Sequence, residues 1–230
     1  MLTAAGAYGR IEAMTSRLDQ ATIDLLGVLA YGELTAFERL ATDARLAPTI
    51  SDKHALATMA AAEFSHYQRL YDHLRSEAVD PEEAMRPFVE PLNSFHDSTP
   101  PNDWLESLIK AYLGDGLATD FYREVATFVQ DPVTRGLVLE VLADTGQASF
   151  AVSTVTAAIA VDPALAGRLA LWGRRIVGEA LIQAQRVAVE RDALTELLVG
   201  GSVDLAGIGR LLKRLTDNHT ARMQALGLQA

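Results

Sequence analysis

The sequence of 230 residues contains no cysteine. A chain without thiols forms no disulfides, no thiolate zinc sites and no iron–sulfur clusters, and it has no cysteine nucleophile. Any metal site in this protein must therefore take its ligands from oxygen and nitrogen donors, which means carboxylates, amides and imidazoles.

Aromatic residues are also scarce. They make up 7% of the chain, although hydrophobic residues account for 49%, so alanine and leucine provide most of the apolar content. This composition is typical of packed helices, because strands favour β-branched and aromatic residues. No long stretch alternates between polar and apolar residues, and we therefore predict an all-α fold.

The sequence has no hydrophobic run suited to a membrane span. The longest uncharged segment, residues 145–161, contains several Ser, Thr and Gln residues and is too polar for this role. The N-terminal residues, MLTAAGAYGRIEAM, lack a basic start followed by an apolar block, so we expect no signal peptide. The sequence thus predicts a cytoplasmic protein without a membrane partner.

Positive charge is in deficit, with a net charge of −10 that is unevenly distributed. Residues 1–161 contain 11 basic against 23 acidic residues, whereas residues 162–230 contain 9 against 7. This balance excludes a general nucleic-acid coat protein. The basic segment 209–215 is either a local docking face or the solvated face of a helix.

Helix start signals recur along the chain. Asp-Pro pairs occur at Asp80-Pro81, Asp131-Pro132 and Asp162-Pro163, where Asp suits the N-cap and Pro the first helical position. Together with the apolar periodicity, these signals predict helices at about residues 16–45, 51–78, 81–95, 102–129, 132–160, 163–197 and 204–226.

Long helices with short connections pack as antiparallel bundles. We therefore predict a single helical domain over residues 1–230, with an antiparallel four-helix bundle at about 16–160 and additional C-terminal helices at about 163–226.

Polar residues interrupt the apolar stripes of four predicted helices. Each stripe contains one acid, and in the helices predicted at 51–78 and 132–160 another polar residue follows three positions later, on the same helical face. The six predicted inward-facing polar residues are Glu33, Glu63, His66, Asp115, Asp144 and Gln147.

The spacing of these acids indicates a weak internal duplication. The first two acids are 30 residues apart and the last two are 29 apart, and YGEL at 31–34 is similar to LGDGL at 113–117. Two copies of a helix pair would place four carboxylates at one level of the bundle.

Carboxylates inside a bundle need compensation, because a buried, unpaired carboxylate costs several kcal/mol or becomes protonated. Divalent ions would provide it, and a site rich in oxygen with one imidazole favours iron or manganese. The alternative is a polar core satisfied by hydrogen bonds. Tyr112 and Tyr122 lie on the same helical face as Asp115, where they either support the site or belong to the core. Glu140, four residues before Asp144, either faces the site or lies at its exposed edge.

The polar pattern resembles the ferritin-like di-iron carboxylate superfamily, in which a Glu on one helix and E-x-x-H on the next are repeated in a second helix pair. Glu33 and the segment EFSH at 63–66 match the first half of that pattern. The length and the extra C-terminal helices are most similar to the tRNA-modifying hydroxylases that act on the isopentenyl chain of a modified adenosine.

The second half departs from the superfamily pattern. Asp115 stands where the family has Glu, and DTGQ at 144–147 stands where it has E-x-x-H. Aspartate is one methylene shorter, and glutamine offers only an amide oxygen. A single metal, an asymmetric pair and a bundle that has lost its metal all fit this sequence.

The resemblance implies an iron-dependent oxygenase that uses dioxygen to hydroxylate a C–H bond. Its expected cofactor is one or two iron ions, with manganese as an alternative. The expected partners are tRNA or a small-molecule substrate, an electron-donor protein and a second copy of the chain. The competing interpretation is a non-enzymatic ferritin-like binding or interaction protein that has lost one or both metals.

Overall fold

The computed structural model describes residues 18–143, 147–193 and 205–230, and within these ranges the regular elements are all helical. This confirms the predicted all-α class. The helices are α1 (Gln20–Asp43), followed by a short 3-10 turn (Ala44–Leu46), then α2 (Ile50–Ser76), α3 (Pro81–Ser98), α4 (Trp104–Ala126), α5 (Pro132–Val141), α6 (Gln147–Val161), α7 (Leu165–Glu190) and α8 (Leu205–Ala225). None of the described helices is both long and apolar enough to cross a membrane.

Two of the three predicted Asp-Pro helix starts are confirmed. Asp80 and Asp131 are the N-caps of α3 and α5, and each side chain accepts a hydrogen bond from a backbone N–H in the first turn. The third was wrong, because α7 begins at Leu165 with Ala164 as its N-cap. The Asp162 carboxylate instead accepts a hydrogen bond from the backbone N–H of Ala164, at 3.1 Å, within the turn before the helix.

The predicted continuous helix at 132–160 was also wrong, since α5 ends at Val141 and α6 begins at Gln147. The end of α5 is a tight turn, in which the backbone N–H of Ala143 bonds to the carbonyl of Glu140, at 3.2 Å. Arg123 of α4 donates to the carbonyl of Leu142, at 2.8 Å, and so satisfies a group that a continuing helix would have used.

The pairing of α1 with α2 is antiparallel and is the most extensive helix contact. Leu25 near the start of α1 shares a core cluster with Leu74 near the end of α2, whereas Leu40 shares one with Leu56. The helix α3 packs against α1 and α7, and α4 packs against α6, α7 and α8.

The apolar core consists of two clusters. The first apolar cluster joins the start of α1, the end of α2, α3, the end of α4 and α5. The second apolar cluster joins the end of α1, the start of α2, the first half of α4 and parts of α6, α7 and α8.

Between the two clusters, α1 presents Glu33, α2 presents Glu63 and His66, and α4 presents Asp115. We call this level of the bundle, where polar groups replace apolar contacts, the polar layer.

Candidate metal centre

Glu33, Glu63 and His66 meet in the polar layer because α1 and α2 run antiparallel with these residues at the same height. The Nδ1 atom of His66 lies 3.5 Å from Glu33 Oε2 and 3.6 Å from Glu63 Oε2. Their side chains are between 9% and 14% exposed, so little water reaches them. Helix periodicity predicted this arrangement from the i, i+3 spacing of Glu63 and His66.

Two buried atoms of this group have no hydrogen-bond partner among the described residues, namely Glu33 Oε2 and His66 Nδ1. Their separation suits an ion pair but is long for a hydrogen bond. Buried polar atoms are nearly always satisfied, so two such atoms that face each other make this point a candidate binding position for a further species.

The electrostatics of the group reflect three titratable side chains crowded together. Burial raises the pKa of Glu33 well above its usual range, and hydrogen bonding to Glu63 raises it further. The carboxylates of Glu33 and Glu63 raise the pKa of His66 to about 9. Without a metal, the group therefore retains protons that a cation would displace.

The donor set fits a divalent metal ion. One ligand atom from each of Glu33, Glu63 and His66 can be chosen so that all lie within 4.8 Å of one another. Ligand bonds of about 2.1 Å hold two ligands of one ion no more than about 4.2 Å apart, so a shared ion would require at most a small approach of these side chains. Two carboxylates and one imidazole suit iron or manganese, and three protein ligands leave coordination positions for a substrate.

Asp115 lies on the same pocket but is not part of this three-residue group. Its side chain is exposed, whereas the sequence predicted an inward position. Its assignment as a ligand therefore stays a prediction.

The remaining predicted ligands cannot be placed. Asp144 lies outside the described residues, and only the backbone of Gln147 is described, at the first position of α6. Residues 141–143 and Ala148, which flank this segment, line the pocket. The chain around the predicted second half-site therefore borders the same cavity as Glu33, Glu63 and His66.

The pocket lined by Glu33, Glu63 and His66 has a cavity of about 220 Å³. The apolar side chains that line it include Leu56, Met59 and Leu108. The polar side chains that line it include Thr119, Arg123 and Arg222, which the sequence analysis did not single out. Gly116 was a sequence signal for a close contact with another element, as helical glycines often are, but it did not identify Arg222 as the partner.

The other residues near the predicted site have mixed roles. Tyr112 lines the pocket, and burial together with the Glu33 carboxylate raises the pKa of Tyr122, which places that phenol close to the group. Glu140 is largely exposed and pairs with Arg69, so it is a surface residue.

No curated protein matches the chain. A family model described as a ferritin-like domain of actinomycetes matches residues 16–201. That match includes α1 to α7 and therefore Glu33, Glu63 and His66. The chain belongs to this ferritin-like domain family.

Proposed function

We propose that this protein binds one iron ion through Glu33, Glu63 and His66 and acts as an iron-dependent oxygenase on a small molecule. The observation that carries the proposal is the pair of unsatisfied atoms, Glu33 Oε2 and His66 Nδ1, at the base of a pocket in the polar layer. Bound iron would supply the reaction with dioxygen, and manganese is the alternative ion.

The protein's own groups have distinct roles in this proposal. Glu33 and Glu63 neutralise the charge of the ion, and His66 provides the nitrogen ligand after losing its proton. Because all three stand on the two most closely packed helices, their positions are set by a rigid scaffold. Leu56, Met59 and Leu108 limit the access of water to the pocket.

A small-molecule substrate fits the pocket better than a tRNA nucleoside. The cavity of the pocket, about 220 Å³, lies below the range of about 300–1,000 Å³ that is usual for ligand pockets, which favours a ligand smaller than a nucleoside. The net charge of −10 also disfavours a large contact with RNA. Participation of Asp115, Asp144 and Gln147 in a second metal position is the dinuclear variant of this proposal.

The test is metal content after expression in iron-supplemented medium. We expect about one equivalent of iron in the wild-type protein and its loss in His66→Ala, because the imidazole is one of three ligands. The matched control is His54→Ala, on the same helix but exposed, which should retain the metal.

Two results would contradict the proposal. Less than about a tenth of an equivalent of iron or manganese, unchanged by His66→Ala, would favour the non-enzymatic ferritin-like interpretation. Metal binding without oxygen consumption in the presence of a reductant and candidate substrates would support a binding protein rather than an oxygenase.

A further inference from the structure

The last helix contributes a cationic side chain to the pocket although it lies beyond the matched family domain. The match ends at residue 201, whereas α8 begins at Leu205. This helix packs on α4, and Arg222 from its last turns lines the pocket that contains Glu33, Glu63 and His66.

The position of Arg222 depends on a glycine in α4. A Cβ atom built on Gly116 would lie 2.3 Å from Arg222 Nε and 2.7 Å from its Cζ. Any other residue at position 116 would therefore displace the guanidinium. The side chain of Arg222 is 20% exposed, so the guanidinium is largely shielded from solvent within the pocket wall.

The guanidinium of Arg222 retains binding capacity. Its Nη1 atom donates a hydrogen bond to Asp120 Oδ2, at 2.6 Å. Among the described residues, Asp120 is the acceptor for this guanidinium. Arginine carries five N–H donors, so several remain for a ligand. Asp120 fixes the side chain, because Asn218 on α8 also donates to Asp120 Oδ2, at 3.0 Å.

A second guanidinium lies at the mouth of the same pocket. Arg123 is exposed and donates to the carbonyl of Leu142, at 2.8 Å. Among the described residues, Arg123 makes this hydrogen bond and no ion pair. Two arginines that line one pocket would attract an anion that enters the cavity.

We propose that Arg222 is the specificity-determining residue of the pocket and binds the carboxylate of a small organic acid, while Arg123 attracts that acid to the mouth. Guanidinium groups bind carboxylates through short, charge-assisted hydrogen bonds. The small cavity and its apolar lining residues, Leu56, Met59 and Leu108, select an acid with a short aliphatic chain.

This inference rests on the proposed function. Glu33, Glu63 and Asp115 line the pocket, and their carboxylates would repel an anion in the metal-free protein; a divalent cation bound to Glu33 and Glu63 reduces that repulsion. The anion should therefore bind more tightly to the metal-loaded protein, and by linkage it should tighten metal binding by the same factor.

The test is calorimetric titration of the full-length, Mn²⁺-loaded protein with butyrate, at millimolar concentrations. Its neutral isostere butyramide should bind at least about tenfold more weakly, since it lacks the charge that pairs with Arg222. Arg222→Gln should weaken butyrate binding by a similar factor, and Arg222→Lys should weaken it less.

The matched control is Arg214→Gln, on the same helix. Arg214 pairs with Glu124 through an Nε to Oε1 contact of 2.8 Å and does not line this pocket. It should leave butyrate binding unchanged. Comparison of butyrate with butyramide on the wild-type protein needs no variant, so the test survives if Arg222→Gln fails to fold.

The results separate this inference from the proposed function. Metal binding with equal affinity for butyrate and butyramide, or with no butyrate binding, would overturn the inference alone. Tighter binding of inorganic phosphate than of butyrate would overturn the carboxylate assignment. Absence of metal from the wild-type protein in the same samples would overturn the proposed function.

Discussion

At the residue scale, the proposed metal binding is expected to depend on the protonation of His66. The neighbouring carboxylates raise its pKa to about 9, and burial raises the pKa of Glu33, so both retain protons at neutral pH to a greater degree than exposed groups do. Metal ligands must be deprotonated. We therefore expect metal affinity to increase with pH up to about 9, by about tenfold per pH unit for each displaced proton.

Competition titrations with Mn²⁺ at several pH values would measure this slope, and proton release could be recorded in a weakly buffered solution. An affinity that does not change between neutral pH and the pKa of His66 would show that the metal binds elsewhere.

His96 is expected to make the fold sensitive to acid. Burial, together with Lys110 and Arg39, lowers the pKa of His96 to about 3. Between that value and the ordinary pKa of 6.5, the unfolded chain binds a proton that the folded chain does not. The lowered pKa of His96 therefore has no effect on stability above about pH 6.5. Below that pH, the free energy of unfolding decreases by up to about 1.4 kcal/mol per pH unit.

Thermal unfolding of the wild type and His96→Gln at pH 7 and pH 5 would test this effect. The wild type should lose more stability between the two pH values than the variant does, because glutamine does not titrate. Equal losses would show that His96 does not contribute to the acid sensitivity.

At the element scale, the contact between α1 and α3 requires a glycine. A Cβ atom on Gly27 would lie 2.1 Å from the carbonyl oxygen of Ala84, and a backbone atom cannot move aside without shifting a helix. Gly27→Ala should therefore destabilise the protein by about 1–3 kcal/mol, as overpacking does.

The control for this variant is Gly178→Ala in α7, where an added Cβ would meet no atom within 4 Å. It should stabilise the protein by about 0.5–1 kcal/mol through helix propensity. Denaturant unfolding would measure both changes, and destabilisation of equal size in the two variants would contradict the packing argument.

The sequence predicted the positions of the helices but not the break between α5 and α6. Helix propensity and the apolar stripe continue through residues 132–160, so local signals gave no reason for a stop. Arg123, 19 residues earlier, bonds to the carbonyl of Leu142 where α5 ends. A tertiary contact of this kind competes with helix propagation and is not visible in local periodicity.

The candidate metal centre shows the same difference between what local periodicity predicts and what tertiary contacts decide. Glu33, Glu63 and His66 were predictable because their spacing within α1 and α2 places them on inward faces. Arg222 was not, since its place in the pocket depends on how α8 packs across Gly116. Asp115 occupies the predicted height but is exposed, because periodicity defines a helical face and not the reach of a side chain.

At the scale of the whole molecule, α8 is expected to be essential to the fold. Met223 and Leu226 are completely buried in the second apolar cluster, and Leu228 is 4% exposed there. A chain that ends at residue 201 should unfold at a temperature lower by about 10 °C or more, because these apolar contacts are lost.

Calorimetric scans of the truncated and full-length proteins would test this expectation. Removal of only Gln229 and Ala230, which are exposed, is the control and should have a small effect. An unchanged unfolding temperature after removal of α8 would show that residues 1–201 fold independently of it.

The division of the core into two apolar clusters also gives each half its own optical signal. Both tryptophans of the chain, Trp104 and Trp172, belong to the second cluster, so tryptophan emission reports on that half. Most of the described tyrosines pack against the first cluster, among them Tyr31, Tyr67 and Tyr71, so the tyrosine signal reports mainly on that half, whereas Tyr112 packs against the second. Unfolding curves that coincide in tryptophan and tyrosine signals would indicate a single cooperative unit across the polar layer, and separated curves would indicate two.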